Sequence, residues 1–277
     1  MKITIGLSTC PNDTFIFDAI LHKKIDTQGF EFEYITADVE ELNQLALKGE
    51  IDITKISFHV YAYIANNYKI LDSGSALGRN NGPLLISKKF FNPEQIPFLK
   101  KIAIPGQYTT ANLLLHIAFN KLPKLKEYLF SDIVQAILNN EVDAGLIIHE
   151  TRFVYQQKGL VKIIDLGEFW EQNTGLPVPL GGIIINRKFD LNIQTSVQKL
   201  LRKSIEYALN NPHEPYKFIK KFAQEMDENV MYNHIKLYVN DFTLSLGKEG
   251  RDAIIKLFEK GYEIGMLPKV EKDIFIK

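Results

Sequence analysis

The sequence predicts an α/β protein of two hinged lobes with a ligand cleft between them. Three observations lead there. At 277 residues the chain is long for one compact core, and it suits two units of about 100–150 residues each. Its first half alternates short apolar runs with helix-period segments, the pattern of an α/β fold with mostly parallel strands. An internal echo follows: Leu47-Lys48-Gly49-Glu50-Ile51-Asp52-Ile53 is answered by Leu138-Asn139-Asn140-Glu141-Val142-Asp143-Ala144. Each is a helix end, a Glu, an apolar residue, an Asp and the start of a buried strand.

The elements follow in order. Ile3 to Leu7 reads as a strand that turns through Ser8-Thr9-Cys10-Pro11 into a helix. Asn12 or Asp13 is placed to cap that helix, with Phe15, Ile16, Ala19 and Ile20 on one face. Asp38 with Glu41 makes a capping-box-like start, Val39, Leu42, Leu45 and Ala46 form the stripe, and Gly49 closes the helix. Ile51 to Ile56 is a strand, Ser57 to about Ala65 a helix, and Leu84 to Ser87 a strand. The second unit repeats the plan. Lys101 to Ile104 is a strand, Thr109 or Thr110 opens a helix, Ser131 caps another, and Val142 to Ile148 is a buried strand. Two linker-like stretches, Lys88 to Lys100 and Gly175 to Gly182, bracket this unit. The layout is residues 1–90 plus 185–277 as a discontinuous first lobe and 91–184 as an inserted second lobe. After a strand at Ile183 to Asn186, helices are expected at 197–209, 216–223, 231–242 and 250–262, returning to the first lobe.

Composition narrows the function. Lys+Arg and Asp+Glu both total 33, so the net charge is zero. That balance argues against nucleic acid or a membrane surface as partner and favours a small molecule. A single cysteine, Cys10, excludes an intramolecular disulfide and a cysteine-based zinc cage. No signal-like core and no apolar run near ~20 residues is present, so a cytoplasmic protein is expected.

In open α/β sheets ligands bind beyond the carboxyl ends of the strands. That rule nominates four loops: Ser8–Thr14, Lys55–His59, Gly106–Ala111 and His149–Arg152. Helix starts there offer unpaired N–H groups to a carboxylate or polyol oxygen, and Ser57, Thr109 and Thr110 offer hydroxyls, unless these serve only as caps. His149 follows a buried strand directly to the cleft edge. It reads either as a general base, with Glu150 and Arg152 near enough to tune it, or as a hydrogen-bonded strand-end histidine. The other five histidines read as surface or satisfied core, with His59 the one to watch. Arg79, in Gly78-Arg79-Asn80-Asn81-Gly82-Pro83, is either a bidentate carboxylate anchor or a solvated loop arginine. Cys10 reads as a small buried residue. Dinucleotide, P-loop, zincin and nucleophile-elbow motifs are absent, which leaves cofactor-free chemistry or plain binding.

Several segments resemble the 1,4-dihydroxy-6-naphthoate synthase family of the futalosine route to menaquinone. They are Ser8-Thr9-Cys10-Pro11-Asn12-Asp13-Thr14-Phe15, Thr54-Lys55-Ile56-Ser57-Phe58-His59, Gly78 to Leu85, Leu146-Ile147-Ile148-His149-Glu150, Asp165-Leu166-Gly167-Glu168 and Gly175 to Gly182. The resemblance implies a periplasmic-binding-protein-like (type II) two-lobed fold. It implies a lyase converting cyclic dehypoxanthinyl futalosine to 1,4-dihydroxy-6-naphthoate without metal or redox cofactor. By position, His149 matches the family's proton acceptor, and Lys55, Ile56, Ser57, Thr109, Thr110 and Ala111 match its ligand-contacting loops, with Thr109 and Thr110 open as to which makes the contact. Asn80-Asn81 departs from the family's usual pattern, so no substrate contact is carried over there. Chorismate dehydratase, which shares the fold, and a non-catalytic solute-binding protein stand as alternatives.

Overall fold

The computed structural model describes residues 1–223, 227–270 and 273–276. The first lobe opens with β1 (Lys2–Ser8), α1 (Pro11–Leu21), β2 (Glu31–Ala37), α2 (Val39–Lys48), β3 (Ile53–Ser57), α3 (Phe58–Ile64), β4 (Tyr68–Ile70) and β5 (Ala76–Gly78). The chain then builds a second sheet from β6 (Leu84–Ser87), β7 (Lys101–Ile104), α4 (Thr110–Ala118), β8 (Lys124–Glu127), α5 (Ile133–Leu138), β9 (Ala144–Ile147), β10 (Val161–Asp165) and α6 (Leu166–Thr174). It returns through β11 (Val178–Asn186) and finishes with α7 (Leu191–Asn210), α8 (Tyr216–Phe222), α9 (Glu228–Tyr238), α10 (Asp241–Leu244) and α11 (Gly247–Glu263).

The first sheet runs β2-β1-β3-β11-β4 with β5 also paired to β11, and the second runs β10-β6-β9-β7-β8. The expectation of mostly parallel strands holds only for half of each sheet. β1 pairs parallel with β2 and β3, and β7 pairs parallel with β8 and β9, but β6 and β11 make only antiparallel pairs. The reason is the direction of arrival. β6 and β11 are the strands with which the chain enters a sheet from the other lobe. Each starts at the carboxyl edge of its neighbours, with Leu84 opposite Ile147 and Gly181 opposite Ser57, so each must run against them.

This pairing also moves elements relative to the expectation. Leu84–Ser87, assigned from sequence to the first lobe, belongs to the second sheet. The stretch Gly175–Gly182, read as a linker, holds the first half of β11. Pro179 is tolerated there because the β5–β11 register shifts between Pro179 and Gly181, where no regular ladder donor is needed.

Local chemistry explains the ends of the helices. Asp38 caps α2 by accepting from Glu40 N–H at 2.9 Å, and Gly49, at φ +72°, closes it in the left-handed conformation. α1 begins two residues earlier than a cap at Asn12 allows, and three earlier than one at Asp13. Pro11 takes the first helical position, Cys10 stands at the N-cap position without a capping bond from its side chain, and the two polar side chains are released for other partners. Ser131 caps nothing; it bonds Asp132 Oδ1 in a 3-10 turn ahead of α5. The helix expected over 231–242 is broken at Asn240, whose side chain opens α10 by a reciprocal bond with Thr243.

Three apolar clusters hold this arrangement. One lies behind the first sheet, where α1 packs on α7, α8 and α9. Another covers the outer face of the second sheet under α5. The third joins the lobes, packing Phe58, Tyr61 and Ile184 with Leu85, Leu113, Trp170 and Leu257. Among the described residues no helix is long and apolar enough to cross a membrane.

Where the chain crosses between the sheets, Gly82 packs against backbone. A Cβ at Gly82 would lie 2.3 Å from both N and Cα of Gly167, and neither can rotate away. Gly82→Ala is therefore expected to cost about 1–3 kcal/mol by overpacking, read as a lower urea midpoint; a midpoint equal to the parent's would show that the two loops are not in contact.

Candidate functional site

The carboxyl ends of β1, β3 and β9 converge on a cleft of about 640 Å³. Ser8, Cys10, Asn12 and Asp13 reach it from the β1–α1 turn, and Lys55, Ile56 and Ser57 from β3. Thr109, Thr110 and Ala111 come from the start of α4, Ile148 and His149 from beyond β9. Leu180 and Gly181 enter from β11, and His234 and Tyr238 from α9.

A buried ion pair forms one wall. Lys55 Nζ stands 2.6 Å from Asp13 Oδ1, both side chains nearly out of solvent at 7% and 1% exposure. Asp13 also accepts from Ser8 Oγ at 2.6 Å and from Asn12 Nδ2 at 2.8 Å. Because an ionised carboxylate only accepts, these bonds orient the Asn12 amide. Its Oδ1 then faces His234 Nε2 at 2.9 Å, so that nitrogen carries the hydrogen.

His149 crosses from the second lobe to meet this wall. Its Nδ1 is 3.0 Å from Cys10 Sγ, and its ring packs edge-on to Phe130 at 4.6 Å. Its backbone is unusual, with φ at +61°. Histidine there costs on the order of 1–2 kcal/mol, and the turn delivers the side chain into the cleft rather than along the strand. Burial pushes the imidazole down to about 4; Asp13 opposes the shift and Lys55 adds to it. His234 is pushed well below the ordinary value by burial, then by His149, Lys55 and Arg152. His59 falls to about 4, again through burial, against the raising effect of its 3.1 Å contact with Thr109 carbonyl.

The two threonines use their hydroxyls internally. Thr109 caps α4, accepting from Asn112 N–H at 3.3 Å and donating to Gly106 carbonyl at 2.8 Å. Thr110 Oγ1 donates to Leu180 carbonyl at 2.5 Å and accepts from His59 N–H at 3.3 Å. What α4 offers a ligand is its backbone: the N–H groups of Thr110 and Ala111 lie in the first turn, where no intrahelical acceptor exists. Ser57 receives Asn43 Nδ2 at 3.4 Å and can still donate its own hydrogen.

The structure brings His149, Lys55, Ile56, Ser57, Thr109, Thr110 and Ala111 to one cleft. It does not bring Arg79 there. That guanidinium, half exposed, pairs with Glu249 at 2.8 Å and Glu171 at 3.6 Å and donates to Gly175 carbonyl, which ties α6 to α11 outside the cleft. The side chain of Glu150 lies outside the described part. His234, read from sequence as surface or satisfied core, and Tyr238, which the sequence does not single out, sit one helical turn apart on the buried face of α9 with Met231 and Ile235. Two polar rings within an apolar stripe were the available signal. Among the described residues no group of three or more His, Cys, Asp or Glu side chains is placed to hold a metal ion.

Known proteins share this architecture. A family model described as menaquinone biosynthesis matches residues 3–263. The chain is 38% identical over 274 residues to a 1,4-dihydroxy-6-naphtoate synthase of Thermus thermophilus, covering 99% of each. It is 37% identical over 276 residues to the protein of the same name from Streptomyces coelicolor, covering 98% of this chain and 96% of that one. A crystal structure from Archaeoglobus fulgidus superposes with a TM-score of 0.91 at 35% identity, over 96% of this chain and 98% of that one. The ligand-binding component of an ABC-type import system from Staphylococcus aureus, with zinc bound, superposes at 0.71 with 13% identity, over 100% and 96%. A Candida albicans protein described as having the generic periplasmic binding protein fold superposes at 0.72 with 12% identity, over 100% and 98%. These last two show the fold alone, and it is the periplasmic-binding-protein-like fold that the sequence resemblance implied.

Two outcomes are expected of the site. Asp13→Asn leaves the Lys55 ammonium buried without its counter-charge and should cost roughly 3–5 kcal/mol in urea unfolding, whereas an unchanged midpoint would mean the pair is solvated. The histidines make stability pH-dependent with a definite sign. His59 and His149 are held near 4 when folded and return to 6.5 when unfolded, so the unfolded chain binds protons first as pH falls. Their contribution is fully present above pH 6.5 and is lost between there and about 4; thermal melts across that window should show a falling Tm, most gently in a His59→Gln variant.

Proposed function

The chain belongs to the menaquinone biosynthesis family, and from that membership we propose that it is a lyase converting cyclic dehypoxanthinyl futalosine to 1,4-dihydroxy-6-naphthoate, with His149 as general base. The relatives' names support an enzyme of naphthoate synthesis in the menaquinone route. One observation carries the residue assignment: a neutral imidazole on a left-handed turn reaches across the cleft to within 3.0 Å of the opposite lobe.

The lobes enclose the spiro-cyclic substrate and exclude water. Lys55 and the first N–H groups of α4 hold its carboxylate and sugar-derived oxygens, with Ser57 as a hydroxyl donor. His149 removes a proton, and the fragmentation that follows is driven by aromatisation of the bicyclic ring. With its conjugate acid near 4, His149 is unprotonated throughout the neutral range and ready to accept. Neither a metal nor a redox cofactor enters this sequence.

Incubation of the purified protein with cyclic dehypoxanthinyl futalosine, followed by chromatography, is expected to show 1,4-dihydroxy-6-naphthoate. Consumption of chorismate instead, or tight ligand binding with no turnover, would overturn the reading. His149→Ala should lower kcat by about 10²–10⁴-fold while ligand binding stays measurable; near-parental turnover removes the histidine from the mechanism. In the parent, kcat/KM should stay level as pH drops through 6.5 and decline only towards 4, since the base is lost when the folded imidazole, not a free one, takes its proton.

A further inference from the structure

We propose that Arg152 is a positioning residue that holds the His149 side chain in the cleft. The kinetic part of this inference rests on the reading of His149 as the base; the structural part does not.

His149 lies between two anchors. Upstream, β9 is an interior strand, and Ile147 pairs with Leu84 at the start of β6. Downstream, the 3-10 turn His149–Phe153 carries Arg152, whose side chain is only 13% exposed. Its Nη1 donates to Gly82 carbonyl at 2.8 Å and its Nη2 stands 3.3 Å from Asp165 Oδ2. Both partners are themselves fixed. Asp165 caps α6, its Oδ1 accepting from Gly167 N–H at 2.8 Å and Glu168 N–H at 3.2 Å. Gly82 is wedged against Gly167.

The two anchors therefore belong to one frame. Ile147 is tied to residue 84 and Arg152 to residue 82, two positions earlier on the same segment. The chain between them has to leave the strand and double back within a few residues. Of those residues, His149 is the one with φ in the left-handed region, at +61°. Without the Arg152 anchor the turn can lengthen, His149 can return to negative φ, and the ring can leave Cys10. Arg152 is not among the cleft-lining side chains; it stands in the same turn as His149, and its charge also bears on His234.

The charged and titratable groups facing His149 are Cys10 and Asp13 from the β1–α1 turn, Lys55 from β3 and His234 from α9. Burial dominates the low value of the imidazole, so its titration reports whether the ring is still in the cleft.

The test uses the full chain with 15N-labelled histidine, comparing the parent with Arg152→Gln and Arg152→Lys. In Arg152→Gln, His149 should titrate well above its parental value of about 4, towards 6.5. His59, held against Thr109 away from Arg152, should keep its own value of about 4 and so report an intact fold. Arg152→Lys, which keeps the charge but not the fork that meets two acceptors, should fall between. Turnover in Arg152→Gln should drop about 5–30-fold, the population cost of releasing one strained residue, with KM unchanged. If the single variant does not fold because Asp165 loses its counter-charge, Arg152→Gln with Asp165→Asn removes both charges and carries the same titration. His149 staying near 4 in these variants overturns the proposal, as does a joint shift of His149 and His59, which would mark a general loosening. Should the parent show no lyase activity, the titration still decides whether Arg152 holds the ring.

Discussion

A carboxylate removed from water must collect donors or lose its charge, and much of this molecule is arranged around the way Asp13 meets that requirement. Its donors come from the end of β1 through Ser8, from β3 through Lys55 and from its neighbour Asn12. Asn12 passes the constraint on to His234 in α9, 222 positions along the chain. Four separate segments are thus referenced to one group. The helix α1 could not begin at Asn12 or Asp13 with those side chains as caps, because both are committed to the network. Pro11 solves this, starting the helix without needing a donor and leaving Asp13 in the first turn, near the positive end of the helix.

How far the sequence reveals this depends on the range of the interaction. Strand-then-polar-loop patterns are local, and the β1–α1 turn, the end of β3, the start of α4 and His149, which they single out, line one cleft. What periodicity does not carry is the direction in which a strand is entered. β6 and β11 look like any short apolar runs, and their antiparallel sense follows only from the chain crossing at the cleft. Pro179 made the start of β11 look like a linker because a proline argues against a strand unless a register shift absorbs it. Arg79, open from sequence between a carboxylate anchor and a solvated loop arginine, is a different case. Turn-rich surroundings suit a ligand anchor and a surface ion pair equally, and the partners that decide, Glu171 and Glu249, are distant in sequence. His234 was legible in principle, as a polar residue on the apolar face of α9, but its purpose required knowing that α9 packs on α1.

The same crossing explains why the cleft is lined from so many elements. A strand entering a sheet from the other lobe must begin at the carboxyl edge, so it contributes its first residues to the cleft. Leu180 and Gly181 do this for β11, and Leu180 carbonyl receives the Thr110 hydroxyl. Two of the three hydroxyls that the sequence offers as ligand donors are therefore engaged within the protein, Thr110 with β11 and Thr109 in its own cap. Under the proposed reaction, recognition passes to the peptide N–H groups of α4, which lose no side-chain entropy on binding. Hydroxyl count in a loop is thus a poor guide to what a ligand meets.

Electrostatics then sets when the base becomes strong. Burial does most to lower the basicity of His149; Asp13 opposes it, and Lys55 adds a smaller lowering. Under the proposed reaction the incoming carboxylate adds a negative charge beside Lys55. A unit charge a few ångströms away is worth on the order of 1–4 kcal/mol at the effective dielectric of such a site, and its sign favours the imidazolium. Substrate binding would thereby raise the basicity of His149 at the moment a proton has to be taken, without any change in the protein's own charges. A histidine that is neutral and weakly basic alone, and more basic only with its substrate in place, stays available at neutral pH and is not consumed by protonation between turnovers. The zero net charge of the chain fits this logic. The field that matters is made by one buried pair and the ligand itself, and a large background charge would only blur the difference between the empty and the occupied cleft.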